Sequence, residues 1–414
     1  MKVVHIMAGD LSGGAARGTY WLHQALIQLG VDSRILINGS QKYDDPRIAI
    51  VDDSLPGRLW QGLSKRLGEL PKVLYQGNDQ YQPFDTGLGG SRYQANEIFR
   101  QADLVNLHHI NGVASVRSLR SIRKPLVWTL RSMWPLTGGC HYSLDCDKYQ
   151  TGCSACPQLG STSPHDLSRF NARTKLASYP PHLQLVGVSN WITRCAGDSV
   201  LLRDFPIRTI HNGINTADFQ PIDRNEAVRS LGLNPDTKYL LAIAQNFQNR
   251  YKGFDHLREA LRFLNPSGTH LLIVGSVGQA QLNQLEFPHT TLGIVHDSPG
   301  LRAAYSAATV HVAPNRMETF GKTLVEAMAC GTPVVSFDAT GPKDIVEHKR
   351  SGYRAQAFSA RSLAEGIQWV LGLDADGYNQ LSTRARQQAI DRFDSTVIAR
   401  QYLDLYQSML NRAR

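Results

Sequence analysis

Glu318 and Glu326 stand eight positions apart in the run Arg316-Met-Glu-Thr-Phe-Gly-Lys-Thr-Leu-Val-Glu-Ala-Met-Ala-Cys-Gly-Thr-Pro-Val-Val335. A strand-like segment, Thr309–Ala313, precedes the run, and Gly331 and Pro333 stop the helix before a second strand, Val334–Phe337. Glu318 therefore falls on a loop at a strand end and Glu326 about one turn inside the following helix. The amides of Gly321, Lys322 and Thr323 fall at that helix N-terminus, where unpaired N–H groups and the dipole suit a phosphate. One carboxylate can reach a group beyond the phosphate, and the other can reach hydroxyls on a nucleotide. Two carboxylates at a helix start can also be there only for the dipole, and for Glu318 alone that plainer reading would be preferred.

Other residue groups could also do chemistry. Gly9-Asp-Leu-Ser-Gly-Gly-Ala-Ala-Arg-Gly18 follows the first strand, and a Gly-Gly pair entering a helix lets backbone approach a diphosphate. It lacks the Gly-x-Gly-x-x-Gly spacing of a dinucleotide site. Asn106-Leu-His-His-Ile-Asn-Gly112 ends another strand-like run. Its histidines could ligate a metal or cap the strand, and metal is disfavoured because no carboxylate sits at ligand spacing. Cys140, Cys146, Cys153 and Cys156 are spaced Cys-x5-Cys-x6-Cys-x2-Cys. Tetrahedral structural zinc is the favoured reading, with two disulfides or a redox pair as rivals. Cys195 and Cys330 read as small core residues. Arg250 and Lys252 lie in Ala244-Gln-Asn-Phe-Gln-Asn-Arg-Tyr-Lys-Gly-Phe254, between a strand and a helix, where a pyrophosphate would lie.

The elements that must position these residues alternate. Strand-like runs are Val3–Ala8, Arg34–Asn38, Leu104–Leu107, Leu126–Leu130 and Leu185–Val188, then Tyr239–Ala244, His270–Val274, Thr309–Ala313 and Val334–Phe337. Helical patterns such as Ala15–Leu29, Gly253–Leu264 and Leu363–Leu371 lie between them. Such alternation predicts an α/β protein of two Rossmann-like domains, each a parallel sheet with helices on both faces and ligands at the strand carboxyl ends. A length of 414 residues agrees with two cores. The junction is expected within Ile210–Ile222, around the Asn212-Gly213 turn.

The run Glu318-Thr-Phe-Gly321, the run Glu326-Ala-Met-Ala-Cys-Gly-Thr-Pro-Val-Val and the downstream Gly341-Pro-Lys-Asp-Ile-Val-Glu347 resemble the glutamate–seven–glutamate motif of the family-4 retaining glycosyltransferases. The resemblance implies the GT-B fold, two Rossmann-like doubly wound domains facing a cleft. Residues 1–205 would form the acceptor domain, with a cysteine-rich insertion at 138–160 and a C-terminal helix, about 398–414, crossing back to it. Residues 206–397 would bind the nucleotide sugar. By the same resemblance Glu318 meets the donor sugar, Glu326 the ribose, and Lys252 the donor phosphate. Gly13 and Gly14 would face the phosphates. Arg250, Phe320, Gly321, Lys322 and Thr323 complete the donor set. His109 and Asn111 are acceptor-side candidates, His109 also a catalytic one, and His108 would be structural. The cysteine insertion looks like that of a subset of these enzymes in bacterial surface-polysaccharide pathways.

Two departures stand out. Arg131 occupies the place where the family usually has a His after Trp128-Thr-Leu, and Asn246 the place of a frequent Arg. Arg131, a catalytic candidate, could bind the diphosphate or an anionic acceptor. The other outcome is a weakened or dead enzyme that still binds nucleotide.

The implied reaction is transfer of a hexose-type sugar from a nucleotide diphosphate sugar to a glycan or lipid-linked acceptor. It would proceed with retention and without a catalytic metal or cofactor. Helix amides and cations would stabilise the leaving diphosphate. A sugar-phosphate synthase of the same fold is the alternative, and a non-catalytic nucleotide or nucleic-acid binder is a third class. The net charge of +9 permits nucleic acid, but no dense Lys/Arg run with interleaved aromatics lies near the cysteines, so no nucleic-acid partner is expected. With no signal-like N-terminus and no long apolar run, a cytoplasmic protein is expected. Pro56–Leu67 places Leu59, Trp60, Leu63 and Leu67 at helical spacing beside Arg58, Lys65 and Arg66. With the basic cluster Arg117, Arg120, Arg123 and Lys124, it could seat the chain on anionic lipid at the inner face of the plasma membrane. A core-facing helix with solvated charges fits that spacing equally.

Overall fold

The computed structural model describes residues 1–52, 54–75, 83–295 and 297–413. The chain divides into two compact units: Met1–Gly213 with Ser395–Arg414, and Ile214–Asp394. The first division therefore follows Gly213 and not residue 205, because Ile207–Thr209 is still a strand of the first sheet.

The first unit holds β1 (Lys2–Met7), β2 (Asp32–Ile37), β3 (Ile48–Ile50), β4 (Leu104–Leu107), β5 (Leu126–Leu130), β6 (Leu183–Gly187) and β7 (Ile207–Thr209). Its order is β3-β2-β1-β4-β5-β6-β7, with every pairing parallel. β4 and β5 are buried at every position, as a sheet covered on both faces requires. The helix Ser395–Ala413 belongs to this unit. Its Ile398, Tyr402, Leu405 and Tyr406 pack with Val3, Leu22, Leu26 and Leu104. Tyr402 and Tyr406 reach the strands by hydrogen bonds to Thr129 (3.1 Å) and Asn106 (2.6 Å).

The second unit holds β8 (Lys238–Asn246), β9 (Thr269–Ser276), β10 (His289–Thr291), β11 (Val310–Ala313), β12 (Val334–Phe337) and β13 (Gly352–Ala355). Its order is β10-β9-β8-β11-β12-β13, again all parallel. Leu240, Ala242, Leu271, Ile273, Val310, Val312 and Val335 form its core with Leu257 and Leu363 from flanking helices. Each sheet reverses its strand order once, at β1/β4 and at β8/β11. In open α/β sheets the crevice for ligands lies at such a reversal, beyond the strand carboxyl ends.

Among the described residues, no helix is long and apolar enough to cross a membrane.

Candidate functional site

In the second unit the β8/β11 reversal brings two sequence-selected residues into contact. The loop after β8 ends in a short 3-10 turn, Arg250–Lys252, and the loop after β11 carries Glu318. Lys252 Nζ donates to Glu318 Oε2 at 2.7 Å, each side chain being 18% exposed. Asn315 Nδ2 approaches the same oxygen at 3.4 Å. Burial pulls the Lys252 ammonium down, but Glu318 and Tyr251 together outweigh it and leave its pKa raised. Gly253, at φ 71°, lets the turn close here, since a Cβ would lie 1.8 Å from the Pro314 carbonyl oxygen. The loop after β12 braces the site from behind: Gly341 N donates to Glu318 O (2.9 Å), and Glu318 N donates to Thr340 Oγ1 (3.3 Å). Arg250 is exposed beside the turn, and Asn246 accepts from Gln248 N.

The helix Lys322–Ala329 starts on Gly321, whose φ is 110°. Its first turn presents the backbone of Gly321, Lys322 and Thr323. Glu326, inside this helix, is only 2% exposed. Tyr305 Oη donates to its Oε2 at 2.8 Å, and Lys322 Nζ lies 3.5 Å from its Oε1. Thr323 Oγ1 lies 3.3 Å from His311 Nε2, and burial lowers the His311 pKa to about 4. The Phe320 side chain is 1% exposed and packs on Phe393, so what Phe320 offers a ligand is backbone. Tyr251, Tyr305, Asn315 and Thr340 were not singled out by sequence. Only Tyr251, inside the Arg250–Lys252 run, carried a local signal.

In the first unit Gly13 caps the helix Gly14–Gln28 after β1. Among the described residues, a Cβ added at Gly13 or Gly14 meets nothing within 4 Å. On the other side of the reversal, after β4, His108 is buried with His5 at 2.9 Å and accepts from Arg131 Nε at 3.1 Å. Arg131, 6% exposed, also donates to Asn212 at 2.6 Å. Burial pulls the Arg131 guanidinium down to about 10, which leaves it charged at neutral pH. Burial likewise drives His5 and His108 well below the ordinary imidazole value, reinforced by their neighbours, so both stay neutral. Among the described residues, both amide atoms of Asn111 are buried with no hydrogen-bond partner.

His109 stacks on His141 at 4.8 Å, and His141 Nε2 is 2.7 Å from Asp85. Ligand atoms of Asp85, His109 and His141 all lie within 4.8 Å of one another, a set that could hold a metal ion. The expectation that no carboxylate sits at ligand spacing holds along the chain but not in space, and it is corrected for His109, not for His108. Asp85 is distant along the chain, and folding alone brings it to His109. Burial lowers the His109 pKa to about 3.

The four clustered cysteines carry free thiols and line one cavity of about 20 Å³, room for one water-sized body. Gly138 N donates to Cys153 Sγ at 3.2 Å. Lys175, fully buried, donates to Thr137 O at 2.9 Å, and its ammonium sits 3.6 Å over the Trp134 ring. Four soft donors around one small cavity fit zinc by type. Among the described residues, however, the cysteines do not form a group as tight as Asp85, His109 and His141.

Residues 223–388 match the family model described as glycosyl transferases group 1. That segment is similar to group 1 glycosyl transferases. It fills most of the second unit and contains Lys252, Glu318 and Glu326. The chain is 36% identical over 182 residues to D-inositol 3-phosphate glycosyltransferase 1 of Catenulispora acidiphila, covering 40% of this chain and 43% of that protein. It is 28% identical over 262 residues to alpha-maltose-1-phosphate synthase of Mycolicibacterium smegmatis, covering 54% and 67%. With a third relative matched over 53% of its length, the chain spans about half the length of the curated relatives it matches. Among solved structures, sucrose-phosphate synthase of Thermosynechococcus elongatus superposes with a TM-score of 0.69 at 21% identity over 99% of both chains. WaaG, a glycosyltransferase involved in lipopolysaccharide biosynthesis, gives 0.64 at 16% identity over 97% and 99%. The fold of the chain is GT-B.

Proposed function

We propose that the protein is a retaining glycosyltransferase that moves a hexose-type sugar from a nucleotide diphosphate sugar to a glycan or lipid-linked acceptor. The observation that carries this reading is the Lys252–Glu318 contact at the β8/β11 reversal, beside the start of the Lys322–Ala329 helix. An ammonium and a carboxylate held together can exchange partners when a donor arrives. Lys252 and the helix amides then take the diphosphate, and Glu318 takes sugar hydroxyls. As the anomeric C–O bond breaks, the leaving diphosphate gains charge, and fixed donors already in place stabilise it without reorganising. Gly13, Gly14 and Arg250 are further phosphate contacts in this reading, and Glu326 meets the ribose. His109, Asn111 and Arg131 serve the acceptor. No side chain is asked to be a nucleophile, and no metal is asked to act in catalysis.

Solved relatives support the donor class: Anabaena HepE has been seen with UDP and glucose and with UDP-glucose. A role in bacterial surface-polysaccharide synthesis and a structural zinc at Cys140, Cys146, Cys153 and Cys156 belong to the same reading. A second reading is synthesis on a phosphate-bearing small acceptor. It is favoured by the buried cation Arg131 and by relatives named for inositol 3-phosphate and maltose-1-phosphate. Nucleotide release from a panel of UDP-, GDP- and ADP-sugars, with soluble, phosphorylated and lipid-linked acceptors, decides between them. Release with no donor in wild type, or equal release in Glu318→Gln, overturns the transferase reading.

A further inference from the structure

The helix Leu55–Glu69 in the first unit turns its large apolar side chains to solvent. Leu55 is 72% exposed, Leu59 66%, Trp60 46%, Leu63 53% and Leu67 59%. The patch continues through the 3-10 turn Leu70–Leu74, where Leu70, Val73 and Leu74 are 61%, 79% and 84% exposed. The opposite side of the helix is the one that packs. Gly57 and Gly68 are its buried residues. A Cβ at Gly68 would lie 2.5 Å from Gly89 N, so the helix backbone rests directly on the neighbouring loop. Polar groups tie down that side: Thr86 Oγ1 donates to Gly68 O (2.7 Å), Gly90 N to Ser64 Oγ (3.1 Å), and Gln61 Nε2 to Asn38 O (3.4 Å). The inward residues Gly57, Gln61, Ser64 and Gly68 recur every three or four positions, so rotation of the helix cannot bury the leucines without breaking these contacts.

The core-facing alternative raised by the sequence is therefore corrected for this helix, and the exposed face needs an occupant. The charges around the face choose among outside partners. Arg58, Lys65 and Arg66 are exposed on the helix, against a single acid, Glu69. Arg92 lies over the Trp60 ring at 5.1 Å. A second copy would bring the same cations against these, which like charges oppose. An anionic lipid surface meets both features, with apolar side chains below the headgroups and cations at their level.

We infer that the Leu55–Leu74 face is a monotopic membrane-docking surface for anionic lipid, seated by Leu59, Trp60, Leu63 and Leu67 and held by Arg58, Lys65 and Arg66. The docking does not depend on the transferase reading, and Glu318→Gln protein should dock like wild type. The full chain is co-sedimented with vesicles of phosphatidylcholine alone and with added phosphatidylglycerol, at low and high salt. Binding is expected only with the anionic lipid, weakened by salt, and with a blue shift of tryptophan emission that Trp60→Phe removes. Leu63→Ser with Leu67→Ser should abolish it. Reversal of the three cations should weaken it about a hundredfold or more, given about fivefold per basic residue. Because every substituted residue is exposed, an unchanged melting temperature verifies that the fold survives. Absence of binding at low salt overturns the inference. So does equal binding by the variants, or a wild-type dimer that the leucine variant converts to monomer without any vesicle binding.

Discussion

At the β8/β11 reversal of the second unit the charges are kept and paired: Lys252 with Glu318, Lys322 with Glu326. At the β1/β4 reversal of the first unit they are mostly removed. Around the buried cation Arg131 stand His5, His108 and His109, all held neutral chiefly by burial. The two sheets share an order of strands, so architecture does not explain the difference. In the second unit each ion has an opposite charge within reach, Lys252 and Glu318 part-exposed and Lys322 and Glu326 more deeply buried. A site that must present one fixed charge buries it among neutral hydrogen-bonding groups, at a cost in desolvation.

The largest expected effect breaks the paired site. Glu318→Gln should lower turnover on the order of a hundredfold or more, with circular dichroism unchanged because Glu318 is a loop residue. Steady-state nucleotide release checks it, and near-normal turnover would remove Glu318 from the chemistry.

Next comes the buried cation. Arg131→Ala leaves His108 Nδ1 and Asn212 Oδ1 without their donor, so it should cost about 1–3 kcal/mol of stability and most of the activity. Arg131→Lys should recover charge but not both contacts, since an ammonium lacks the planar fork. Urea melts beside kinetics separate the two losses. A fully active, equally stable Arg131→Ala would show that this guanidinium is idle.

Acid should distinguish the units. His23 in the first and His311 in the second have pKa values lowered to about 4, and His109 to about 3. A lowered folded pKa means that the unfolded chain binds more protons below about 6.5. Stability is therefore full above that value and falls as pH drops from about 6.5 toward 4, by about 1.4 kcal/mol per pH unit for each such histidine. The first unit has more of them, so hydrogen exchange followed by mass spectrometry at falling pH should show β1, β4 and β5 opening before β8 and β11. Simultaneous opening would mean that the buried imidazoles do not set acid stability.

The smallest effect is at Glu326. Tyr305→Phe removes one hydrogen bond to this buried carboxylate and should cost about 1 kcal/mol, with donor affinity falling several-fold while turnover of bound donor is little changed. Calorimetric titration with nucleotide diphosphate measures it. Unchanged affinity would mean that Tyr305 does not position Glu326.

Periodicity and turn chemistry alone determined much of this protein. β4, β5 and β12 fall where the apolar runs placed them, because fully buried strands leave an unbroken signal. The edge strands Ile48–Ile50, Ile207–Thr209, His289–Thr291 and Gly352–Ala355 were missed. They are short and partly exposed, and only their neighbours make them strands. The spacing of Glu318 and Glu326 around a helix start was legible because local sequence builds that turn. Tertiary structure alone decided that Lys252 reaches Glu318, that Asp85 joins His109 and His141, and that Leu59, Leu63 and Leu67 face solvent. Helical spacing fixes which residues share a face. Which face turns inward depends on what packs against it, and here a pair of glycines on the opposite side made that choice.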